Sequence, residues 1–219
     1  MIKLIDVNKE FKFCRALCGI NLLIPHNEFL AITGNSGSGK STLLSIISGL
    51  EKPTSGQVLY DDIDIGSFND KEVAEFRNKR IGFIFQNFFL IPEYTVLQNV
   101  EMPLLLRKEQ NKMQLCKDIL AEVGLLNKID ERANHLSGGE QQRCAIARAL
   151  ITDPDVIFAD EPCGNLDSFN SSVIMDLLIK LKKNGKTVIL VTHNSEDANK
   201  ADRIITLKDG EIINDLRTA

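Results

Sequence analysis

The sequence predicts an α/β fold: a parallel sheet of strands covered on both faces, with a helical segment set into it. Three observations carry this. FLAIT (29–33), VIFAD (156–160) and TVILVTH (187–193) are continuous apolar runs, as strands covered on both faces must be. Helical patterns separate them, and strands alternating with helices imply parallel pairing. Between the first two lies a stretch almost without strand-forming runs.

Each element follows from its own residues. FLAIT ends at Gly34, passes through a glycine-rich loop and enters STLLSIISGL (41–50). That segment has helical spacing and stops at Gly49, so the order is strand, loop, helix. QVLYDDIDI (57–65) alternates and predicts exposed strands. KEVAEFRNKR (71–80) predicts an amphipathic helix and IGFIF (81–85) a buried strand. Leu97 to Arg107 and Met113 to Leu126 have helical patterns, with Pro103 kinking or bounding the first. Glu140 to Leu150 is also helical, so residues 87–150 read as a helical insertion. SSVIMDLLIKLKKNGK (171–186) predicts a helix with lysines in its last turn and Gly185 beyond. RIITLKDGEII (203–213) predicts a hairpin around Asp209-Gly210.

The bulk properties exclude several classes. A chain of 219 residues builds one domain, or one with a subdomain. A net charge of −4 gives no support for a nucleic-acid partner. The longest apolar runs, such as FFLIP (88–92), are about five residues, against the roughly 20 that cross a bilayer. MIKLIDVNKEFKF shows no signal-peptide pattern, so the chain is expected to stay in the cytosol. The five cysteines, Cys14, Cys18, Cys116, Cys144 and Cys163, include no Cys-x-x-Cys pair and read as reduced thiols. The alternative is a metal site of Cys14 and Cys18 with a distant histidine.

The chemistry begins at GNSGSGKS (34–41). It fits G-x-x-x-x-G-K-[ST] at Gly34, Gly39, Lys40 and Ser41. Such a loop converges consecutive backbone N–H groups on phosphate oxygens, and the helix behind it adds its positive end. Asn35, Ser36, Gly37, Ser38 and Thr42 complete the loop and the helix start. Lys40 is suited to β- and γ-phosphates and the Ser41 hydroxyl to Mg²⁺. A nucleotide hydrolase also needs a metal-holding acid and a group that orients water. VIFADEP places Asp160 at a strand tip, suited to Mg²⁺, with Glu161 behind it, suited to act as base. Gln86 ends IGFIF and His193 ends TVILVTH, within reach of the same γ-phosphate region.

A second glycine loop, LSGGE (136–140), precedes a helix. With GNSGSGKS, Gln86, VIFADEP, GNLD (164–167) and His193 it completes an ordered set. That set resembles the ATP-binding-cassette (ABC) ATPases over essentially the whole chain. The resemblance implies a RecA-like P-loop NTPase core with a parallel sheet, an antiparallel β-subdomain and a helical subdomain. It implies a single domain, 1–219: residues 1–86 and 151–219 are the nucleotide-binding core with the β-subdomain, and 87–150 the helical subdomain. It also explains the second loop. In this family two cassettes pack head to tail, and each LSGG loop closes over the ATP on the partner's phosphate loop.

The resemblance assigns roles by position. Lys40 and Ser41 hold phosphate and Mg²⁺, and Gln86 touches Mg²⁺ or water. Asp160 is the metal-holding acid, Glu161 the catalytic carboxylate and His193 the γ-phosphate switch. Ser137, Gly138 and Gly139 bind the partner's nucleotide, and Asp167 crosses the interface. Phe11 takes the place of an aromatic stacked on adenine, with Phe13 as competitor. IGFIFQNFFLIPEYTVLQNVEMPLL, GEQQRCAIARAL and EPCGNLD resemble the lipoprotein-release and macrolide-efflux branch most. Two departures stand out: Cys163, usually threonine, and Asn27, where a glycine-glutamate run is usual. Cys163 neighbours Glu161, which predicts thiol-sensitive catalysis. The implied partner is an integral-membrane permease subunit, met through the apolar stretch from Phe88 and Phe89 to Val100. That places the chain peripherally on the cytoplasmic face of the membrane. The implied function is export or extrusion of lipoprotein, peptide or drug. The alternative is a division-type cassette that signals through its membrane partner.

Overall fold

The computed structural model describes residues 1–107 and 109–218. The chain begins with two long antiparallel strands, β1 (Ile2–Phe11) and β2 (Cys14–Ile24), that the sequence reading passed over. Their alternation is broken: on β1 the buried positions are Ile2, Leu4, Val7 and Lys9, with a register shift between Leu4 and Val7. Asp6, at φ 46°, makes that bulge, and one extra residue reverses the in-out parity of everything beyond it.

β3 (Phe29–Gly34) leads through the glycine loop into α1 (Lys40–Ile47). β4 (Ser55–Tyr60) returns to pair with β1, and β5 (Ile63–Asp64) folds back on it. Asp61 and Asp62 turn that corner at φ 48° and 68°, the left-handed pair a two-residue hairpin needs. This ribbon is not the exposed one the alternation predicted. Val58, Tyr60 and Ile65 are buried, and the Tyr60 hydroxyl donates to Ile47 O at 2.8 Å.

α2 (Asp70–Arg80) opens with a capping box of Asn69 and Glu72 and runs into β6 (Ile81–Phe85). The first helix expected in the insertion is shorter than its pattern. α3 (Val96–Glu101) gives way to a 3₁₀ turn over Met102–Leu106, with Pro103 at its start. A proline removes a donor and clashes with the preceding turn, so it bounds the helix. α4 (Lys112–Glu122) and α5 (Gly138–Leu150) follow. Then come β7 (Val156–Asp160), α6 (Ser168–Lys183), β8 (Thr187–Val191), the short α7 (Ser195–Ala198), β9 (Arg203–Lys208) and β10 (Glu211–Arg217). Asp209 and Gly210, both at positive φ, turn β9 into β10 as expected.

The strands form two sheets, β2-β1-β4-β5 and β10-β9-β3-β8-β7-β6. In the larger one, β9, β3, β8, β7 and β6 are parallel and β10 is an antiparallel edge. Its central strands divide their side chains between two cores. Phe29, Ala31, Ile157, Ala159, Val188 and Leu190 pack with α3 to α6. Leu30, Ile32, Val156, Phe158, Ile189 and Val191 pack with α1 and the antiparallel sheet. Both faces are therefore apolar, and polar groups gather only at the strand ends.

Candidate functional site

The glycine loop has the backbone its composition requires. Gly34, Gly37 and Gly39 have φ of 144°, 79° and 102°, a region costly for other residues. At Gly34 a Cβ would lie 2.3 Å from Leu207 O, and at Gly39 2.6 Å from Ala16 O. Lys40 Nζ donates to Gly34 O at 2.7 Å and Asn35 O at 2.8 Å, holding the loop curled over its own ammonium. Gly39 caps α1 without a side-chain bond, which leaves the first helical N–H groups for a ligand.

This loop floors a cleft of about 840 Å³. The cleft is lined by Phe11, Gly34, Asn35, Ser36, Gly37, Gly39, Lys40, Ser41, Thr42, Gln86, Asp160, Glu161 and His193. Ser38 is the exception within the loop. It is buried, its N–H donates to Asn35 O and its carbonyl accepts from Gly210 N. Its hydroxyl has no partner among the described residues.

Strand register brings the rest together. Phe85 on β6 pairs with Asp160 on β7, and Asp160 with Val191 on β8. The three strands thus end level, and Gln86, Glu161 and His193 leave the sheet within one residue or two of that line. Glu161 turns sharply at φ 47°, with its N–H donating to Val191 O at 2.9 Å. Its Oε1 lies 2.8 Å from His193 Nδ1. Burial raises the Asp160 carboxyl above the usual range, as does the Glu161 charge; Lys40 and a hydrogen bond from Ser41 oppose this. Two acids beside a hydroxyl and an ammonium suit a divalent cation held with phosphate oxygens. Gln86 is held by an unforeseen partner. Its Nε2 donates to Asn165 Oδ1, and Asn165 Nδ2 donates to Gln86 O, both at 3.2 Å. Gly164 permits that approach, since a Cβ there would lie 2.6 Å from Gln86 Nε2.

The second glycine loop is elsewhere: Ser137, Gly138 and Gly139 are not among the residues lining this cleft. They open α5 two residues before the expected start. Ser137 is the N-cap and Glu140 closes a capping box. Glu140 also meets Lys128 at 2.9 Å, and that bond, ahead of the Ser137 N–H, lowers its carboxyl to about 2. Asp167 caps α6 by accepting from Asn170 N at 2.8 Å and Asn170 Nδ2 at 2.9 Å. Asn170 sits against Gly139, where a Cβ would fall 2.0 Å from its Oδ1.

Several placements decide between readings. Phe11 lines the cleft; Phe13 does not and is 90% exposed. Cys163 is partly buried. Burial pushes it up to about 11 and its Sγ donates to Ser171 O, which argues against the thiol sensitivity expected at Glu161. Among the described residues no three His, Cys, Asp or Glu side chains cluster to hold a metal, so Cys14 and Cys18 lack a third ligand. Sequence reasoning also missed Arg148. From α5 it donates to Phe88 O at 2.7 Å and Phe89 O at 2.5 Å, across a separation of about sixty residues. No local signal carries such a contact.

A phosphate loop at the end of β3, with acids at the end of β7, defines a nucleotide-hydrolysing P-loop protein. Comparison with known proteins narrows this. The ABC transporter family profile matches residues 17–164. The ABC transporter ATP-binding protein YvrO of Bacillus subtilis (strain 168) is 45% identical over 99% of this chain and 97% of its own length. The lipoprotein-releasing system ATP-binding protein LolD of Leptospira interrogans serovar Lai is 45% identical over 97% of this chain and 90% of its own. The macrolide export ATP-binding/permease protein MacB of Campylobacter fetus is 45% identical over 99% of this chain, which spans 35% of that longer protein. The ATP-binding cassette MJ0796, solved as a post-hydrolysis dimer with ADP and Pi, superposes with a TM-score of 0.93 at 43% identity, covering 100% of this chain and 99% of that one. The chain belongs to the ABC transporter family, as one of its ATP-binding, ATP-hydrolysing cassettes.

Proposed function

We propose that the chain is the motor of a membrane extruder. Two copies pair head to tail around two ATP molecules and drive a separate integral-membrane permease from the cytoplasmic face. The carrying observation is the division of the site. One cleft holds the phosphate loop and the acids, while the second anion-binding helix start lies outside it on α5. A symmetric pair would complete two sites, each from one half of either chain. The similarity to LolD and MacB favours a lipoprotein, peptide or drug as cargo over a signalling role. Residues 87–150 would act as the arm that carries the second loop.

The chain's residues divide the work. Backbone N–H groups of residues 34–42 and the Lys40 ammonium would cradle the phosphates. Phe11 would stack on adenine. Ser41, Gln86 and Asp160 would hold Mg²⁺, which when bound draws charge from the β- and γ-phosphate oxygens. Glu161 would take a proton from the attacking water. His193, now 2.8 Å from Glu161, would turn to the γ-phosphate. Ser137, Gly138, Gly139 and Asp167 would close over the partner's nucleotide. Phe88 and Phe89 would meet the permease; Phe89 is 61% exposed.

Glu161→Gln tests this. It should bind ATP, lose about 10²–10⁴-fold in hydrolysis and run as an ATP-dependent dimer on a sizing column. A monomer at saturating ATP would remove the shared-site reading.

A further inference from the structure

We infer that Lys9 is a positioning residue for the nucleobase: its ammonium covers one face of the Phe11 ring and braces it to the phosphate-loop helix, leaving the other face to adenine. This rests on the reading of Phe11 as the stacking residue.

Lys9 and Phe11 stand two apart on β1 and so project to the same side of the sheet. Lys9 is only 9% exposed, which is rare for a lysine. Its Nζ lies 2.5 Å from Glu51 Oε1, 2.8 Å from Lys52 O and 5.0 Å from the centre of the Phe11 ring. An ammonium has three protons. Two oxygens take two of them, and the ring face receives the third, as a cation–π contact with little water around the charge.

The brace has a definite anchor. Glu51 follows α1, and its N–H donates to Ser45 O in that helix at 3.1 Å. Lys9 therefore ties β1 to the far end of the helix whose near end carries the phosphate loop. The ring is thereby tied to that helix through one side chain. The ammonium also draws electron density from the ring, which favours stacking with an electron-rich purine. Lys9 does not line the cleft, so a triphosphate bound there should not meet it.

Calorimetric titration of the full-length chain with ATP and with inorganic tripolyphosphate, both with Mg²⁺, tests this. Lys9→Met keeps the apolar stem and removes the charge. It should weaken ATP about five-fold, equivalent to about 1 kcal/mol, and leave tripolyphosphate unchanged; Lys9→Arg should bind ATP within about two-fold of the parent. Equal weakening of both ligands means a structural role only and overturns the inference. Unchanged ATP affinity in Lys9→Met, with weakened affinity in Phe11→Ala, overturns it while the stacking reading stands. Unchanged affinity in Phe11→Ala removes the stacking reading itself. If Lys9→Met does not fold, Glu51→Ala withdraws the anchor and should give the same ATP-only weakening; its absence counts equally against the proposal.

Discussion

Arg148 holds the segment that follows Gln86, and its removal should loosen that segment measurably. Phe88 and Phe89 lie at φ 56° and 48°, a left-handed conformation that costs a residue with a Cβ about 1–2 kcal/mol. The Arg148 guanidinium bonds both their carbonyls, at 2.7 and 2.5 Å. Hydrogen bonds to a charged group contribute about 1.5–3 kcal/mol each. Phe89 is exposed, so water replaces much of that bond, and the lower end applies. Together the two bonds contribute about 3 kcal/mol. Relaxation of Phe89, the exposed one of the two, returns about 1.5 kcal/mol, half of it. Arg148→Met should therefore cost about 1.5 kcal/mol, or about 3–6 °C in Tm for a chain of this size. The functional effect follows from position. On the proposed role of Gln86 in the cleft, a looser segment behind it should lower kcat for ATP with little change in KM. Thermal unfolding by circular dichroism, amide exchange over residues 86–91 and steady-state ATPase assays measure the three effects. A Tm within 1 °C of the parent with unchanged exchange would refute the reasoning.

Two further outcomes follow from the same geometry. Gly39→Ala should destabilise by about 2–3 kcal/mol, because its Cβ would fall 2.6 Å from Ala16 O, and on the proposed role of the loop it should weaken ATP binding. Gly37→Ala meets nothing within 4 Å and pays only for its φ of 79°, about 1–2 kcal/mol, so it should lose less; equal Tm losses would show that the contact is irrelevant. Glu140 titrates at about 2, held down first by Lys128, so its folded pKa is below its unfolded one. Its stabilising charge is present above about pH 4.3 and is lost as pH falls toward 2. The urea-midpoint difference between the parent and Glu140→Gln should therefore shrink from pH 5 to pH 3; a constant difference would mean the charge does nothing for α5.

The parts legible in the sequence were those whose physics is local. The buried strands at 29–33, 81–85, 156–160 and 187–193 announce themselves because both their faces are apolar. The phosphate loop shows because positive φ at Gly34, Gly37 and Gly39 demands glycine. β1 and β2 stayed hidden because the bulge at Asp6 breaks their alternation. Pro103 was visible, and it ends α3 in a 3₁₀ turn rather than kinking a longer helix. The pairs Gln86–Asn165 and Arg148–Phe88 join residues about eighty and sixty apart. Nothing in the neighbouring sequence of either partner marks them.

Those long-range pairs also bear on how one site is to sense another. Asn165 is bonded to Gln86, inside the chain's own cleft. Five residues on, Asn170 is bonded to Asp167 and packed on Gly139, where the second loop begins. Residues 165–170 thus touch both the cleft and the start of the second glycine loop. Immediately before them Glu161 sits in a left-handed turn, with Gly164 N bonded back to its carbonyl. On the shared-site reading, the cleft and that loop serve two different ATP molecules. A change in the Glu161–His193 contact when a γ-phosphate leaves would shift this turn. The shift would reach Gln86 in the same cleft and Gly139 at the partner's nucleotide. Gly139 has no room to absorb it: any Cβ there already overlaps Asn170. Packed contacts of that kind move together or break. The segment would therefore couple the two hydrolysis sites with no element beyond the chain itself, and one hydrolysis event would weaken the clamp on both nucleotides.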